Sequence, residues 1–469
     1  MQGSVQFDAE LIRRYDQSGP RYTSYPTAAS FTPAFNTERY QQLARLSNDD
    51  PIPRPLSLYV HVPFCDTVCF YCACNKVVTN NRRRAEQYMT YLLREMAMQA
   101  ALYDRDRTVE QLHWGGGTPT YLSAEQSATL MEATQRHFKL RDDDRGDYSV
   151  EIDPRSVDRE RVRHLRELGF NRFSLGVQDL DPAVQRAVNR VQPLAQNRAV
   201  LDACREFGAH SVNIDLIYGL PLQSRDSFAR TLDRVIEELS PDRLSIFNYA
   251  HLPHLFKPQR QICSEQLPTP EEKLAILQMS VEKLIGAGYV YIGMDHFAKP
   301  DDELVAAQSA GNLYRNFQGY STHADCDLIG MGVSAISKVG LSYCQHEKTL
   351  DDYYQRLDAG ELPVTRGVQL NADDQLRREV IQQLCCDYAV DIAEFERHAT
   401  SVIGVFSFAD YFEQELGMLA AMARDGLLSL TAERIEINPR GRLLLRNICM
   451  PFDVSLRQAS EQPRFSRTI

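Results

Sequence analysis

The chain has 469 residues, of which 43% are hydrophobic and 25% are charged, as in an ordinary globular protein. Its 63 acidic and 52 basic side chains give a net charge of −11, which argues against a general binder of nucleic acid or membrane surfaces. No apolar run reaches the ~20 residues that cross a bilayer, and residues 1–14 lack the charged-then-apolar order of a signal peptide. We therefore expect a cytoplasmic protein that binds neither nucleic acid nor membranes.

The first part of the chain predicts a polar N-terminal segment followed by alternating strands and helices. Residues 1–54 are turn-rich and end at a proline-rich connector. After it, apolar runs with β-branched and aromatic residues predict strands at 56–62, 109–114, 148–152, 172–177, 212–217 and 243–249. Helical stretches separate these runs, including 84–103, 226–239 and one that begins at a capping box formed by Ser123 and Gln126.

The spacing of the six strands indicates the fold class. The units repeat about every 32 residues, close to the ~30 residues of a βαβ unit. The pattern therefore predicts an α/β protein with a parallel barrel or open sheet over residues 55–365. We favour a partial (β/α)6 barrel because the units repeat without a dinucleotide-binding fingerprint. A seventh strand is expected at 289–297.

The last hundred residues have a different pattern. From Leu370 the apolar spacing becomes helical, with Leu376, Val380 and Leu384 on one face. Residues 427–437 then resemble a small hairpin. We predict a separate, mainly helical C-terminal domain over 366–469, for which a winged-helix fold is one option.

Cysteine spacing gives the strongest chemical signal. Four of the eleven cysteines, at positions 65, 69, 72 and 74, lie within ten residues directly after the first predicted strand. An odd count and tight clustering disfavour a disulfide framework. Structural zinc usually takes two separated cysteine pairs, and no second pair follows at a suitable distance. The x3 and x2 spacing of Cys65, Cys69 and Cys72 favours a 4Fe–4S cluster with one iron that has no protein ligand.

The Cys-x3-Cys-x2-Cys pattern resembles the radical S-adenosylmethionine (SAM) superfamily. Its neighbours make the chain similar, from about residue 12 to the end, to the oxygen-independent coproporphyrinogen III oxidase family. The segments that carry this resemblance are PRYTSYPT (20–27), YVHVPF (59–64), Cys74, WGGGTPT (114–120), GVQD (176–179), NIDLIYGLP (213–221), FNYA (247–250), GMDH (293–296) and FSR (465–467).

The resemblance implies which residues form the site. Cys65, Cys69 and Cys72 would hold the cluster, whereas the role of Cys74 stays open between the cluster and packing. The first SAM would contact Tyr59, Gly116, Glu151 and Ile336. A second SAM would contact Tyr71, Gly117, Thr118, Gln178, Arg190, Asp215 and Ala250. Without the resemblance, isolated Gln, Arg and Asp residues are more often structural, and the glycines equally fit a tight turn.

The strand pattern supports one common location for these residues. The cysteine loop follows the first strand, the glycines follow the second, Glu151 ends the third and Gln178 follows the fourth. Asp215 lies in the fifth strand and Ala250 follows the sixth. Because functional groups of a parallel barrel gather at the carboxyl ends of its strands, we expect one active site there.

The reaction is also implied by the resemblance. One electron cleaves SAM to a 5′-deoxyadenosyl radical, which takes a β-hydrogen from a propionate, and loss of carbon dioxide and an electron leaves a vinyl group. Two propionates of coproporphyrinogen III would react, giving protoporphyrinogen IX in haem biosynthesis. We expect a monomer with a flavodoxin-like or similar electron donor and an unidentified acceptor.

The substrate carries four carboxylates, which the net charge of −11 does not attract, so local arginines must bind them. Candidates are Arg21, in an N-terminal segment that we expect to close over the substrate, and the run 82–84, which more simply begins a helix.

Two other functions compete with this one. A haem chaperone from a related, non-enzymatic branch would share the barrel and the three cysteines, but Cys74, the 20–27 segment and the long C-terminal domain argue against it. A zinc-stabilised binding protein is the second alternative, and purified protein that contains zinc without iron would favour it.

Overall fold

The structure is a computed structural model that describes residues 5–323 and 326–458. The chain divides into two compact units. The barrel unit comprises Phe31–Leu277 and Asp325–Gln369, and the terminal unit comprises Met1–Ser30, Gln278–Ala324 and Leu370–Ile469. The FSR motif at 465–467 lies outside the described residues. The domain boundaries drawn from the sequence stay a prediction.

Six parallel strands form the centre of the barrel unit and confirm the predicted α/β fold. Each strand pairs with the next along the chain. In chain order they are β1 (Leu56–Val62), β2 (Thr108–Gly116), β3 (Asp147–Ile152), β4 (Arg172–Gln178), β5 (Ser211–Tyr218) and β6 (Arg243–Asn248). All lie within two residues of the predicted bounds, because buried apolar side chains recur along each strand, at alternate positions in β3, β4 and most of β5.

The sheet continues on the far side of β1 with four strands that the sequence pattern did not predict. β7 (Asp327–Met331) runs parallel to β1 and places Gly330 opposite Tyr59. Antiparallel strands then follow it in order: β8 (Ile336–Val339), β9 (Ser342–His346) and β10 (Val364–Gln369). The barrel is therefore a partial one with an antiparallel extension.

Helices connect and cover the parallel strands. The capping box predicted at Ser123 and Gln126 is present. The predicted helix 226–239 is α-helical to Arg234 and then forms one π-helical stretch, Val235–Leu239. The α-helices of the barrel unit are Thr37–Leu46, Arg83–Ala100, Ala124–His137, Arg159–Glu167, Pro182–Ala187, Leu194–Glu206, Arg225–Arg234 and Leu350–Asp358, and Pro270–Gly286 crosses the sequence boundary at residue 277.

A buried ion pair joins the amino-terminal ends of the central strands. Arg107 lies one residue before β2, and its Nη2 donates to Asp327 Oδ2 of β7 at 2.6 Å. Both side chains are almost completely buried. The Arg107 Nε also donates to the carbonyl of Arg54, just before β1. This network fixes three strand starts at the end of the sheet opposite the carboxyl ends.

The terminal unit contains two hairpins. The first of them occupies the region where the sequence pattern predicted one strand, over 289–297. The prediction of a single strand is wrong, because Gly293, Met294 and Asp295 all adopt positive φ and turn the chain. The first hairpin pairs Val290–Gly293 with His296–Ala298, and the second pairs Tyr314–Asn316 with Gly319–Ser321.

The C-terminal part of the terminal unit is mainly helical, as predicted. The hairpin expected near 427–437 is confirmed, and its second strand also pairs with Ala389–Asp391, so three strands form a small sheet in keeping with the winged-helix option. The α-helices of this unit are Ala9–Tyr15, Glu303–Ser309, Ala372–Asp387, Ile392–Ile403, Phe408–Tyr411, Glu413–Arg424, Leu445–Cys449 and Val454–Gln458. Among the described residues, none of the helices is both long enough and apolar enough to cross a membrane.

Candidate active site

A cavity of about 450 Å³ opens in the barrel unit at the carboxyl ends of the parallel strands. This is the edge where the strand pattern predicted the active site. The structure brings most of the predicted site residues to its wall: Cys65, Cys69, Tyr71, Cys72, Gly116, Gly117, Thr118, Glu151, Gln178, Arg190 and Asp215.

The cysteine loop is held in a closed shape by its own backbone. After β1 the chain forms a short strand, Phe64–Cys65, which pairs in parallel with Val77–Val78 at the other end of the loop. Inside the loop, the N–H of Cys72 donates to the carbonyl of Cys69 at 3.2 Å. The Lys76 ammonium donates to the Cys72 carbonyl at 3.1 Å. The thiols of one short loop therefore face one cavity.

Hydrogen-bond donors surround two of these thiols. Thr118 Oγ1 donates to Cys65 Sγ at 3.4 Å. Cys69 Sγ accepts from Arg190 Nη1 at 3.4 Å and from Arg155 Nη2 at 3.6 Å. Burial raises the pKa of Cys65 to about 11, and a bound metal would offset this by replacing the thiol proton. Donors and cations of this kind stabilise thiolates, the form that binds iron.

The donor set fits an iron–sulfur cluster. Three thiols from one loop are soft ligands of the type that such clusters take. Within residues 5–323 and 326–458, no three Cys, His, Asp or Glu side chains converge closely enough to hold a single metal ion. The thiols of Cys65, Cys69 and Cys72 all line the one cavity. The thiol of Cys74 also lines the cavity and, by hydrogen bonding, lowers the pKa of Cys72.

Glu151 presents an ionised carboxylate to the cavity from the end of β3. Its Oε2 accepts from the Gly116 N–H at 3.1 Å, and its Oε1 contacts His113 Nε2 at 3.3 Å. Burial acts to raise the pKa of this carboxyl, but the hydrogen bonds from His113 and Gly116 outweigh burial and lower the pKa. A charged acceptor in this position is suited to ligand hydroxyl groups.

The glycines after β2 bring the backbone against the cysteine loop. Gly116 has φ +116°, and a Cβ there would meet the His61 ring at 2.7 Å. A Cβ on Gly117 would meet the carbonyl oxygen of Pro63 at 2.6 Å. The N–H of Gly117 donates to the carbonyl of Val62 at 2.8 Å. Glycine at positions 116 and 117 is therefore required for the close packing of the loop after β2 against the start of the cysteine loop, whether or not a ligand also approaches.

Two residues that line the same cavity have polar atoms without partners among the described residues. Gln178 Oε1 and Arg190 Nε are buried, and nothing in the described part of the chain forms a hydrogen bond with either atom. Arg190 otherwise donates to Asp153 Oδ2 at 3.0 Å and to the Gly176 carbonyl at 2.6 Å. A buried polar atom is normally satisfied, so these two atoms fit a polar ligand in the cavity. Burial also raises the pKa of Asp215, which lines the same cavity.

Three further predicted residues are not among the described residues that line the cavity. Tyr59 stacks on the ring of His113 at 5.8 Å, so it packs behind the group that holds Glu151. The Ala250 carbonyl accepts from Gln259 Nε2, which also donates to the Tyr71 carbonyl. Ile336 begins β8. The assignment of these residues to SAM stays a prediction.

Arg21 belongs to the terminal unit, where its carbonyl accepts from Arg315 Nη2 at 3.5 Å. Arg82 pairs with Asp66 at 2.7 Å and lies over the ring of Tyr121 at 3.8 Å. Arg82 is the N-cap residue of the helix Arg83–Ala100. The run 82–84 is thus a helix start, the alternative to substrate binding that the sequence favoured.

Sequence reasoning missed three residues of this site. Asp153 and Arg155 line the cavity and bond to each other at 2.6 Å. They directly follow β3, so the rule that placed Glu151 could also have found them. His113 lies within β2 and contacts Glu151, but its place in the strand gave no signal of function.

Comparison with known proteins connects this site to characterised relatives. A family model of the radical SAM superfamily matches residues 59–235, and a model of the HemN C-terminal domain matches residues 370–444. The oxygen-independent coproporphyrinogen III oxidase of Pseudomonas aeruginosa is 52% identical over 100% of both chains. The Escherichia coli protein of the same name is 49% identical over 99% of both.

A solved structure agrees with the sequence comparison. The coproporphyrinogen III oxidase (HemN) of Escherichia coli, described as a radical SAM enzyme, superimposes with a TM-score of 0.90 at 47% sequence identity. The match covers 96% of this chain and 100% of that one.

Proposed function

Because the chain belongs to the oxygen-independent coproporphyrinogen III oxidase family of radical SAM enzymes, we propose that it converts coproporphyrinogen III to protoporphyrinogen IX in haem biosynthesis. In this reaction each of two propionates loses one hydrogen atom, one electron and carbon dioxide, and leaves a vinyl group. The observation that carries the proposal is the convergence of three loop thiols and the Glu151 carboxylate on one cavity. The full-length similarity selects this reaction among those of the superfamily.

Cys65, Cys69 and Cys72 would hold a 4Fe–4S cluster and leave one iron free for SAM. When bound, the cluster and SAM supply the one-electron chemistry that begins hydrogen abstraction. The residues around them supply fixed charges. Thr118, Arg155 and other donors bond to the thiols, and so hold the loop in the charge state that the cluster needs.

The chain's own polar residues would orient two SAM molecules. Glu151 is ionised and accepts ligand hydroxyl groups, and its position is fixed by His113 and Gly116. In the same cavity, Gln178 and Arg190 offer one acceptor and one donor that no described residue engages. Gln178 ends β4 and Arg190 follows the helix Pro182–Ala187, whereas Glu151 lies in β3, so the two SAM molecules would contact different segments of the chain.

The test is anaerobic reconstitution of the full chain, followed by assays of 5′-deoxyadenosine and of porphyrinogen product. We expect coproporphyrinogen III to be decarboxylated twice, with the loss of all activity and iron in Cys65→Ala. Cys204→Ala is the matched control, because Cys204 is a buried thiol in the helix Leu194–Glu206 and not on the cavity. Tight haem binding without decarboxylation would instead favour the chaperone function.

The same proposal includes a cytoplasmic monomer that receives electrons from a flavodoxin-like or similar donor and does not bind nucleic acid. All the cysteines in the described part of the chain are free thiols, the usual state in a reducing compartment. The net charge of −11 is unsuited to nucleic acid. Gel filtration and a reduction assay with purified flavodoxin test these points.

A further inference from the structure

The terminal unit contains a buried arginine that has no anionic partner within the described residues. Arg315 lies in the strand Tyr314–Asn316 and is only 5% exposed. Its Nε and Nη1 are buried, and no group in residues 5–323 or 326–458 accepts a hydrogen bond from them. Its Nη2 reaches the carbonyl oxygen of Arg21 at 3.5 Å, which is the outer limit of a hydrogen bond. A buried guanidinium with two unused donors is destabilising unless an acceptor is supplied.

Uncharged aromatic rings lie beside the Arg315 guanidinium. The guanidinium lies over the ring of Tyr320 at 4.8 Å, and Tyr320 is the residue opposite it in the hairpin. The ring of His296 contacts Tyr320 edge-on at 5.4 Å. Burial and the two arginines, Arg315 and Arg21, lower the pKa of His296 to about 3, so this imidazole is neutral at neutral pH and adds no second positive charge beside the guanidinium.

A second guanidinium in the same unit has the same property. Arg442 lies over the ring of Tyr388 at 4.5 Å, and its Nε and Nη1 are also buried without a partner in the part of the chain that the structure describes. Both Arg315 and Arg442 act electrostatically on Tyr291, so both belong to one region of the terminal unit.

Another buried arginine of the terminal unit, Arg377, has a structural role and serves for comparison. Arg377 is 8% exposed, and its Nε and Nη1 donate at 2.8 Å to Asp373 and Glu415. Its charge is therefore compensated inside the protein, as buried charges normally are. Arg315 has the burial of Arg377 but, among the described residues, not its carboxylates. The difference indicates that no described residue supplies the anionic partner that Arg315 needs.

We propose that Arg315 binds a carboxylate group of the substrate, with the Tyr320 ring beneath its guanidinium. A carboxylate matches the planar donor fork of arginine. The weak contact with the Arg21 carbonyl is readily exchanged for such a ligand. The proposal rests on the proposed function, because it is that reaction's substrate that carries propionate groups. The role we propose for Arg315 in that function is to bind one propionate group.

The first test measures the site without the porphyrin. Thermal unfolding of the reconstituted full chain is followed with and without sodium propionate, using sodium chloride at equal ionic strength as the reference. We expect propionate to stabilise the wild type and not Arg315→Met. Without propionate, Arg315→Met should be as stable as the wild type or more stable, whereas Arg377→Met, the matched control, should be clearly less stable.

The second test measures coproporphyrin III, the stable oxidised tetracarboxylate, by fluorescence titration. We expect Arg315→Met to raise its Kd roughly 10- to 100-fold, and Arg315→Lys to recover part of the loss. Iron and sulfide contents should match the wild type. An unchanged Kd in Arg315→Met, or a loss of stability equal to that of Arg377→Met, overturns the inference. If propionate protects only the wild type and Arg315→Met weakens coproporphyrin III binding, but coproporphyrinogen III is not converted, the inference holds and the proposed function falls.

Discussion

Glu151→Gln tests whether the carboxylate at the end of β3 binds SAM. The substitution keeps the shape of the side chain but removes its charge. The carboxamide oxygen of the variant could still accept from either Gly116 or His113, which contact the two carboxylate oxygens at 3.1 and 3.3 Å. A hydrogen bond to a charged group contributes about 1–1.5 kcal/mol more than a neutral one. For two ligand hydroxyls this is about 2–3 kcal/mol, or roughly a 30- to 150-fold increase in the Kd of SAM.

The assay is equilibrium dialysis of SAM against the reconstituted protein under anaerobic conditions, with iron and sulfide measured in each sample. Glu110→Gln is the matched control, because Glu110 pairs with Arg141 at 3.0 Å and is not among the described residues of the cavity wall. Its SAM affinity should equal that of the wild type. An unchanged Kd in Glu151→Gln with full iron content refutes the proposed role. Loss of iron shows instead that Glu151 supports the cysteine loop.

Three further predictions concern the cluster, acid stability and the sheet. Arg155→Met removes a cationic donor to Cys69 Sγ, so the cluster's reduction potential should fall by roughly 20–60 mV; a redox titration followed by electron paramagnetic resonance measures it, and an unchanged potential contradicts the assigned role. The pKa of His296 is lowered to about 3 in the folded protein, so below about pH 6.5 only the unfolded chain takes up a proton at this residue and stability falls with pH. The loss reaches up to about 2 kcal/mol near pH 5. Denaturant unfolding of His296→Asn at several pH values should lack this part of the acid dependence. Asp327→Asn leaves Arg107 buried without its carboxylate and should lower the free energy of unfolding by about 3–5 kcal/mol, as urea titration would show; a loss below about 1 kcal/mol would mean that water reaches the pair.

The parallel strands could be predicted because their sequence pattern has one cause. A strand that packs on a core needs apolar residues on at least one face, and β1 to β6 carry them, at alternate positions in β3 and β4, in segments separated by helices. The antiparallel extension lacks that signal. β8 (Ile336–Val339) has four residues and β9 (Ser342–His346) five, and both contain polar side chains that the fold buries. No periodicity can be seen over so short a length.

The location of the site was predictable, but many of its contacts were not. Strand ends placed Glu151 and Gln178 at one edge, and cysteine spacing indicated the cluster. The roles expected for Arg190 and Asp215 depended on the family resemblance, because an isolated polar residue has no distinctive pattern. Arg315 could not be found from the sequence, since its distinguishing feature is that two buried donors have no partner in the described part of the chain.

The geometry of the cavity depends on the register between β1 and β2. His61 and Val62 of β1 stand opposite Gly115 and Gly116 of β2. This register lets the backbone after β2 bond to the start of the cysteine loop and also places the Gly116 N–H on Glu151. A side chain at Gly116 would clash with the ring of His61. Relief of this clash would move the cysteine loop and Glu151. The thiol loop follows β1 and the Glu151 carboxylate lies in β3, and the end of β2 bonds to both, so a shift of β2 displaces both.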